Sequence, residues 1–417
     1  MKIGYLVIGS EVLDGKISDT NTKLLAEFLK ISHLEIHQSM VARDEKTTIL
    51  EALKVLFDKC DLVVTSGGLG PTKDDITKET LAEFFGAKIS YSEKAHQVAE
   101  TNYKRFDRPF PGKDHGYSYL PENFIPLNNA TGFAPGFFTE QNGKFLFSAP
   151  GVPREFKSML EEHLLKLISS KLDQSVVLGT VIVRTKKVPE EKIFGEVDPT
   201  LWDKLEKFGE VSSLPILMGV DIGVKIKAKS HSELAEKVSG VKAVIEASPI
   251  KSAVWSYGPE SLEERIVTVA NHKKIRFGFA ESATGGLCSN RITNVSGSSQ
   301  CFMGSIVCYD EKVKEHILGV SAKTLEECTA VSIKCAEEMA HGLKEKLSVD
   351  IAISITGFAG PGGGNDKFPV GSVCIGKAKN GHNSAESFHF KGDREILKQR
   401  FSQAALHVLL EELENFA

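Results

Sequence analysis

Twice, this chain runs a short apolar strand straight into a glycine-bearing turn and then a helix, and that order leaves few folds open. In the first half, Asp61–Thr65 leads into Gly67-Gly68-Leu69-Gly70-Pro71-Thr72, with a helix expected over Asp75–Phe85. In the second, Ile275–Ala280 leads into Ser282-Ala283-Thr284-Gly285-Gly286, where another helix opens. A strand that is apolar throughout must be covered on both faces, which points to α/β units with parallel sheets.

The flanking segments extend the pattern. Lys2–Gly9 and Leu34–Val41 read as strands. Asn21–Lys30 and Thr48–Phe57 carry apolar residues at helical spacing, through Leu24, Leu25, Phe28 and Leu29, and through Ile49, Ala52, Leu53 and Leu56. Residues 105–155 are rich in Gly, Pro and Asn and predict ordered loops, and Arg154–Leu172 predicts a closing helix. A smaller α+β module follows, with strands over Ser175–Thr185 and Val220–Ala228 and a helix over Ser232–Ala247. It has a KH-like pattern but no G-x-x-G backbone clamp, which favours a connector over an RNA reader. Beyond it, strands are expected at Ser305–Tyr309, Asp350–Thr356 and Val370–Lys377, and helices at Leu262–Asn271, Ser332–Glu345 and Arg394–Glu414. The expected architecture is two three-layer α/β/α domains (1–172 and 253–417) joined by a small KH-like α+β connector (173–252).

Charge narrows the partners. Net charge is −4, whereas a nucleic-acid binder needs a basic excess to neutralise phosphates. The seven cysteines form no C-x-x-C pair, so metal spacing is absent and they read as reduced, mostly buried residues of a cytoplasmic protein. No apolar run approaches the ~18–20 residues of a membrane span. The apolar start reads as a first buried strand, since Glu11, Asp14 and Asp19 follow it.

The serine turn suits two jobs. A helix start offers free N–H groups and partial positive charge, so it can bind phosphate or serve as an oxyanion hole beside a serine nucleophile. A nucleophilic Ser282 needs a base. His316 and His341 have no clear relation to a strand end, and lysine is the alternative. Tyr309 closes the next strand, with Lys312 and Lys314 after it, and Thr356 closes another. A plain helix start is the competing reading of the turn.

The motif Ala280-Glu281-Ser282-Ala283-Thr284-Gly285-Gly286 resembles one in the CinA carboxy-terminal domain family. Further matches follow in order: Val295-Ser296-Gly297-Ser298-Ser299, Tyr309 with Lys314, Ala330-Val331-Ser332, Ile355-Thr356-Gly357-Phe358-Ala359-Gly360-Pro361, Pro369-Val370-Gly371 and Gly392-Asp393-Arg394. The resemblance implies a nicotinamide mononucleotide deamidase that needs no cofactor. Ser282 would be the nucleophile and Lys314 the base. Tyr309 would line the site, and Thr356 would face the amide or the oxyanion. Thr284, Gly285, Gly286, Gly357 and Gly360 would contact substrate, and Arg394 its phosphate. Three positions depart from the family's pattern: Ala283 stands for a usual cysteine, Lys398 for an arginine and Thr329 for a glycine.

In the first domain, Gly9-Ser10-Glu11, Asp19-Thr20-Asn21, Thr65 to Asp75, Ala134-Pro135-Gly136-Phe137 and Pro150-Gly151-Val152-Pro153 resemble the molybdopterin-binding-like domain of full-length CinA proteins. The resemblance implies ADP-ribose hydrolysis with a divalent metal, accompanied by potassium, and a homodimer. Ser10, Glu11, Asn21, Gly67, Gly68, Gly70 and Thr72 would hold the nucleotide and its phosphates, and Asp74 and Asp75 the metal. Two other readings stay open. The first domain could be a pterin-binding or dimerisation module without catalysis, or the chain an accessory factor in competence or DNA repair.

Overall fold

The run Ile3-Gly4-Tyr5-Leu6-Val7-Ile8 forms β1 (Ile3–Ile8), buried at every position. In this computed structural model, which describes residues 1–31, 34–169, 176–379 and 381–416, β1 lies inside a six-stranded sheet. Its side chains alternate: Ile3, Tyr5 and Val7 enter one core and Leu6 and Ile8 the other. The only polar group among them, the Tyr5 hydroxyl, meets Ser66 Oγ at 2.6 Å. The remaining strands are β2 (Ile36–Ala42), β3 (Leu62–Ser66), the short pair β4 (Ile89–Tyr91) and β5 (Tyr119–Pro121), β6 (Ile125–Leu127), β7 (Gly136–Gln141) and β8 (Lys144–Ala149). The sheet order is β2-β1-β3-β8-β7-β6, with β4 and β5 paired separately. Helices Asn21–Ile31 and Pro153–Met159 cover one face, and Lys46–Lys59 and Thr77–Phe84 the other.

The expectation of loops over 105–155 is corrected here. β1, β2, β3 and β8 are parallel, but β7 runs antiparallel to β8 and β6 antiparallel to β7. The β7–β8 turn is Asn142-Gly143, both with positive φ, the pair that a tight hairpin favours. A polar helix, Glu93–Arg105, was also not anticipated. The end of the expected closing helix, beyond residue 169, and the expected boundary at 172 lie outside the described residues.

The chain divides into two units, Met1–Val176 and Val177–Ala417. The second holds two sheets. The first comprises β9 (Val177–Thr185), β10 (Glu210–Ile216), β11 (Gly219–Ala228) and β12 (Val254–Tyr257), in the order β10-β11-β9-β12 and antiparallel throughout. Helix His231–Ala247 packs on it through Val241 and Ile245. The other comprises β13 (Phe277–Glu281), β14 (Phe302–Val307), β15 (Ile351–Gly357), β16 (Ser372–Lys379) and β17 (His382–His389), in the order β14-β13-β15-β16-β17. Helices Leu262–Lys273 and Arg394–Glu414 cover one face of this sheet, and Ile333–Leu347 the other, which makes a second three-layer α/β/α arrangement. β14, β13 and β15 are parallel, so their carboxyl ends share one edge.

Candidate active site

Ser282 follows β13 directly, and its amide donates to Ile355 O at 2.9 Å, so the sheet ladder itself fixes its backbone. The next residues turn sharply, with φ of +62° at Gly285 and +97° at Gly286, which glycine adopts without strain. The turn is tied down by Glu281, a fully buried carboxylate. One of its oxygens accepts from Thr284 Oγ1 at 2.8 Å and from the amides of Gly286 and Cys288 at 3.0 Å. The other accepts from the amide and hydroxyl of Ser289 at 2.9 and 2.5 Å.

This corrects the expectation of free amides at the helix start. The helix begins only at Leu287, and Glu281 occupies its amino end where an external anion would sit. Among the described residues the amides of Ala283 and Thr284, in the turn itself, have no hydrogen-bond acceptor, and that of Ala283, which lines the cavity, is the one able to meet an oxyanion.

Lys314 is 2% exposed. Its Nζ donates to Cys308 O at 2.8 Å and Tyr309 O at 3.1 Å. These two carbonyls accept two of its N–H protons. Burial pushes the Cys308 thiol up to about 11 and the Cys335 thiol up to about 12. Both thiols are therefore uncharged at neutral pH and supply no counter-ion for Lys314.

Thr356 Oγ1 donates to Ala330 O at 2.6 Å. Its oxygen is left as an acceptor, which suits an amide N–H rather than an oxyanion. Arg394, at the start of the last helix, donates to Gly360 O at 2.7 Å and to the Tyr309 hydroxyl at 3.0 Å. Tyr309 is itself 63% exposed and sits at the rim.

Ser282, Tyr309, Lys314, Thr356, Gly357 and Arg394 all line one cavity of about 180 Å³. Thr284, Gly285, Gly286 and Gly360 do not. The first three build the turn that carries Ser282, and Gly360 acts through the carbonyl that holds Arg394. Glu311, Ala330, Val331 and Ala359 line the cavity as well and were not anticipated as site residues. Ala330-Val331 and Ala359 sat within recognisable motifs, whereas Glu311 had no signal beyond lying between Tyr309 and Lys314.

The first domain places its candidate residues at the carboxyl edge of β1, β3 and β8. Gly67 has φ +106° and packs against Ile8 O, and Gly68 has φ +64° and packs against Thr77 Oγ1, so neither leaves room for a side chain. Thr77 Oγ1 donates to Gly67 O at 2.9 Å. Asn21 donates to Gly151 O at 2.8 Å, and Gly151 abuts Gly67. Ser10 pairs with Asp44, amide to carboxylate at 2.7 Å and amide to hydroxyl at 3.2 Å. Glu11 is exposed.

The Asp75 carboxylate accepts from the Thr72 amide at 3.0 Å and its hydroxyl at 2.5 Å and packs against Gly70. Asp74 is exposed. No group of three or more His, Cys, Asp or Glu able to hold a metal forms among the described residues. Asp74 and Asp75 therefore do not fit a protein-built metal site, and no step is derived through a metal there. Among the described residues no helix is long and apolar enough to cross a membrane.

An α/β/α domain with a serine and a buried lysine at one sheet edge, in one chain with a second α/β/α domain that carries a glycine loop, defines a two-domain class that comparison with known proteins identifies. Residues 259–413 match the family described as "CinA C-terminal domain", and residues 4–170 the one described as "Probable molybdopterin binding domain". A competence-damage inducible protein of Clostridium perfringens is 34% identical over 416 residues, covering 99% of both chains. One of Halothermothrix orenii is 34% identical over 413 residues, covering 98% of this chain and 97% of its own. A CinA-like protein of Kosmotoga olearia is 33% identical over 414 residues, covering 97% of each. The chain belongs to the CinA family.

Proposed function

We propose that the C-terminal domain hydrolyses the carboxamide of nicotinamide mononucleotide to nicotinic acid mononucleotide and ammonia. The observation that carries this reading is the convergence of Ser282, Lys314, Thr356 and Arg394 on one small cavity. Lys314 takes the Ser282 hydroxyl proton as Oγ attacks the carboxamide carbon. The amide of Ala283, which lines the cavity, receives the oxyanion, a role that in other hydrolases is worth roughly 3–4 kcal/mol per donor. Thr356 accepts from the carboxamide nitrogen and so orients the leaving group. The C–N bond breaks as Lys314 returns its proton to the departing nitrogen, and ammonia leaves an acyl ester on Ser282. Water then attacks that ester, again deprotonated by Lys314, and the acid departs as Ser282 recovers its proton. Arg394 and the Tyr309 hydroxyl bind the phosphate. Serine and lysine suffice for these steps without a metal or organic cofactor.

For the first domain the reading is hydrolysis of a nucleoside diphosphate sugar of the ADP-ribose kind. The glycine turn after β3, at the carboxyl edge of the sheet and just before a helix, supports it, because ligands of α/β sheets bind at such strand ends. A homodimeric state is part of the same reading, and a divalent metal would arrive with the substrate's phosphates and not in a protein-built site.

The decisive assay is ammonia release from nicotinamide mononucleotide by the full chain and by Ser282→Ala. The expected result is turnover by the former and none by a folded variant. Equal turnover by both removes Ser282 as nucleophile, and no turnover by either removes the deamidase reading.

A further inference from the structure

Besides the buried Lys314 amine, two opposite charges face the Ser282 cavity, and among the described residues neither meets an opposite charge. Arg394 meets only neutral oxygens, Gly360 O and the Tyr309 hydroxyl. Glu311 lines the same cavity, and among the described residues it forms no ion pair and no side-chain hydrogen bond. It is the first residue of helix Glu311–Leu318. A carboxylate there also stabilises the helix by its dipole. That role does not explain its position at the mouth, and Asp310 already caps this helix by accepting from the Lys312 amide at 2.9 Å.

An unpaired cation and an unpaired anion in one pocket favour a ligand with both signs of charge. Resting on the deamidase reading, we infer that Glu311 is a specificity-determining residue that recognises the positive charge of the substrate's pyridinium ring, while Arg394 takes the phosphate. The same carboxylate acts on the product. Hydrolysis turns a neutral carboxamide into a carboxylate, which Glu311 repels, so the product binds more weakly than the substrate. Sequence spacing gave no hint of this residue, because its role depends on the cavity wall and not on a motif.

The test compares two ligands that share the carboxamide, ribose and phosphate and differ in ring charge: oxidised nicotinamide mononucleotide, with a cationic ring, and its reduced form, with a neutral one. Binding is measured by calorimetry to Ser282→Ala and to Ser282→Ala/Glu311→Gln, so that turnover does not intervene. For a partly exposed charge pair, removing Glu311's charge is expected to weaken the cationic ligand about three- to tenfold and leave the neutral one within about twofold. Nicotinic acid mononucleotide is expected to bind the Gln variant as well as or better than the parent. High salt should erase the parent's preference for the cationic ligand while weakening the phosphate contact alike in parent and variant.

If both ligands weaken equally in the Gln variant, Glu311 acts through helix structure and the inference falls. It also falls if neither changes. A protein that hydrolyses nicotinamide mononucleotide without this charge preference overturns only the Glu311 assignment. If neither ligand binds and the full chain has no turnover, the deamidase reading and this inference fall together.

Discussion

Lys314 places its Nζ 2.8 Å from the carbonyl oxygen of Cys308, and among the described residues it forms no salt bridge, the thiols of Cys308 and Cys335 near it being neutral. A buried amine without a carboxylate partner lowers stability, because desolvation of the charge is not repaid. Lys314→Met keeps the aliphatic stem and removes the nitrogen. The expected result is a deamidation rate lower by about 10²–10⁴, the usual worth of a general base, with an unchanged or higher urea midpoint. A rate loss accompanied by a lower midpoint would assign Lys314 to the fold instead.

Glu281 holds the turn that carries Ser282 through five hydrogen bonds, all donated to it. Glu281→Gln would set an amide NH₂ against amide and hydroxyl donors. Leaving such buried donors unmet costs about 1–3 kcal/mol, and more for groups that had bonded a charge. Urea unfolding should show a loss of at least that size. The deamidation rate should fall while the Km for nicotinamide mononucleotide moves less, since the phosphate contacts at Arg394 lie on another element.

Thr329 has φ 70° and ψ 165°, a region that glycine populates and a β-branched residue avoids. Such strain is worth about 1–3 kcal/mol, against about 0.4–1 kcal/mol for the extra unfolded-state freedom of glycine. Its hydroxyl recovers little, with a single 3.3 Å contact to Val331 O. Thermal melting should therefore rank Thr329→Gly above the parent and the parent above Thr329→Ala, which keeps the Cβ and loses the hydroxyl. A Thr329→Gly protein that melts lower than the parent would mean that the hydroxyl contact outweighs the strain.

The sheet edge that builds the candidate site was legible from strand periodicity: Ser282, Tyr309 and Thr356 each follow an apolar run, and parallel strands bring such ends together. Glu281 was visible only as part of a motif. Its role depends on the helix starting at Leu287, six residues after it, with two glycines winding the chain back onto the carboxylate. Glu311 was illegible because an exposed acidic residue at a helix start has an ordinary local explanation. In the first domain the β7–β8 hairpin did carry a signal, Asn142-Gly143 between alternating segments, but Gly and Pro on either side read as loop. The antiparallel pairing of β7 with β8 follows from that one turn.

His407 lies on the last helix, 2% exposed, with its ring edge-on to Trp255 at 5.8 Å. Gln403 Nε2 is 3.3 Å from its Nε2, and its Nδ1 has no partner. Burial, and then the positive charges of Lys186, Lys187 and Arg291, hold its pKa down from 6.5 to about 3. The folded state thus refuses a proton that the unfolded chain accepts below pH 6.5. Its contribution to stability is complete above that value and is lost as the pH falls toward about 3, at a slope of about 1.4 kcal/mol per pH unit. His407→Leu removes the titrating group. At neutral pH it should be no more stable than the parent, because Gln403 loses its acceptor. Urea midpoints measured from neutral pH down to about pH 4.5 should show the parent losing stability faster than the variant, so that the two curves converge or cross. Parallel curves across that range would mean that His407 takes up its proton without disturbing the core.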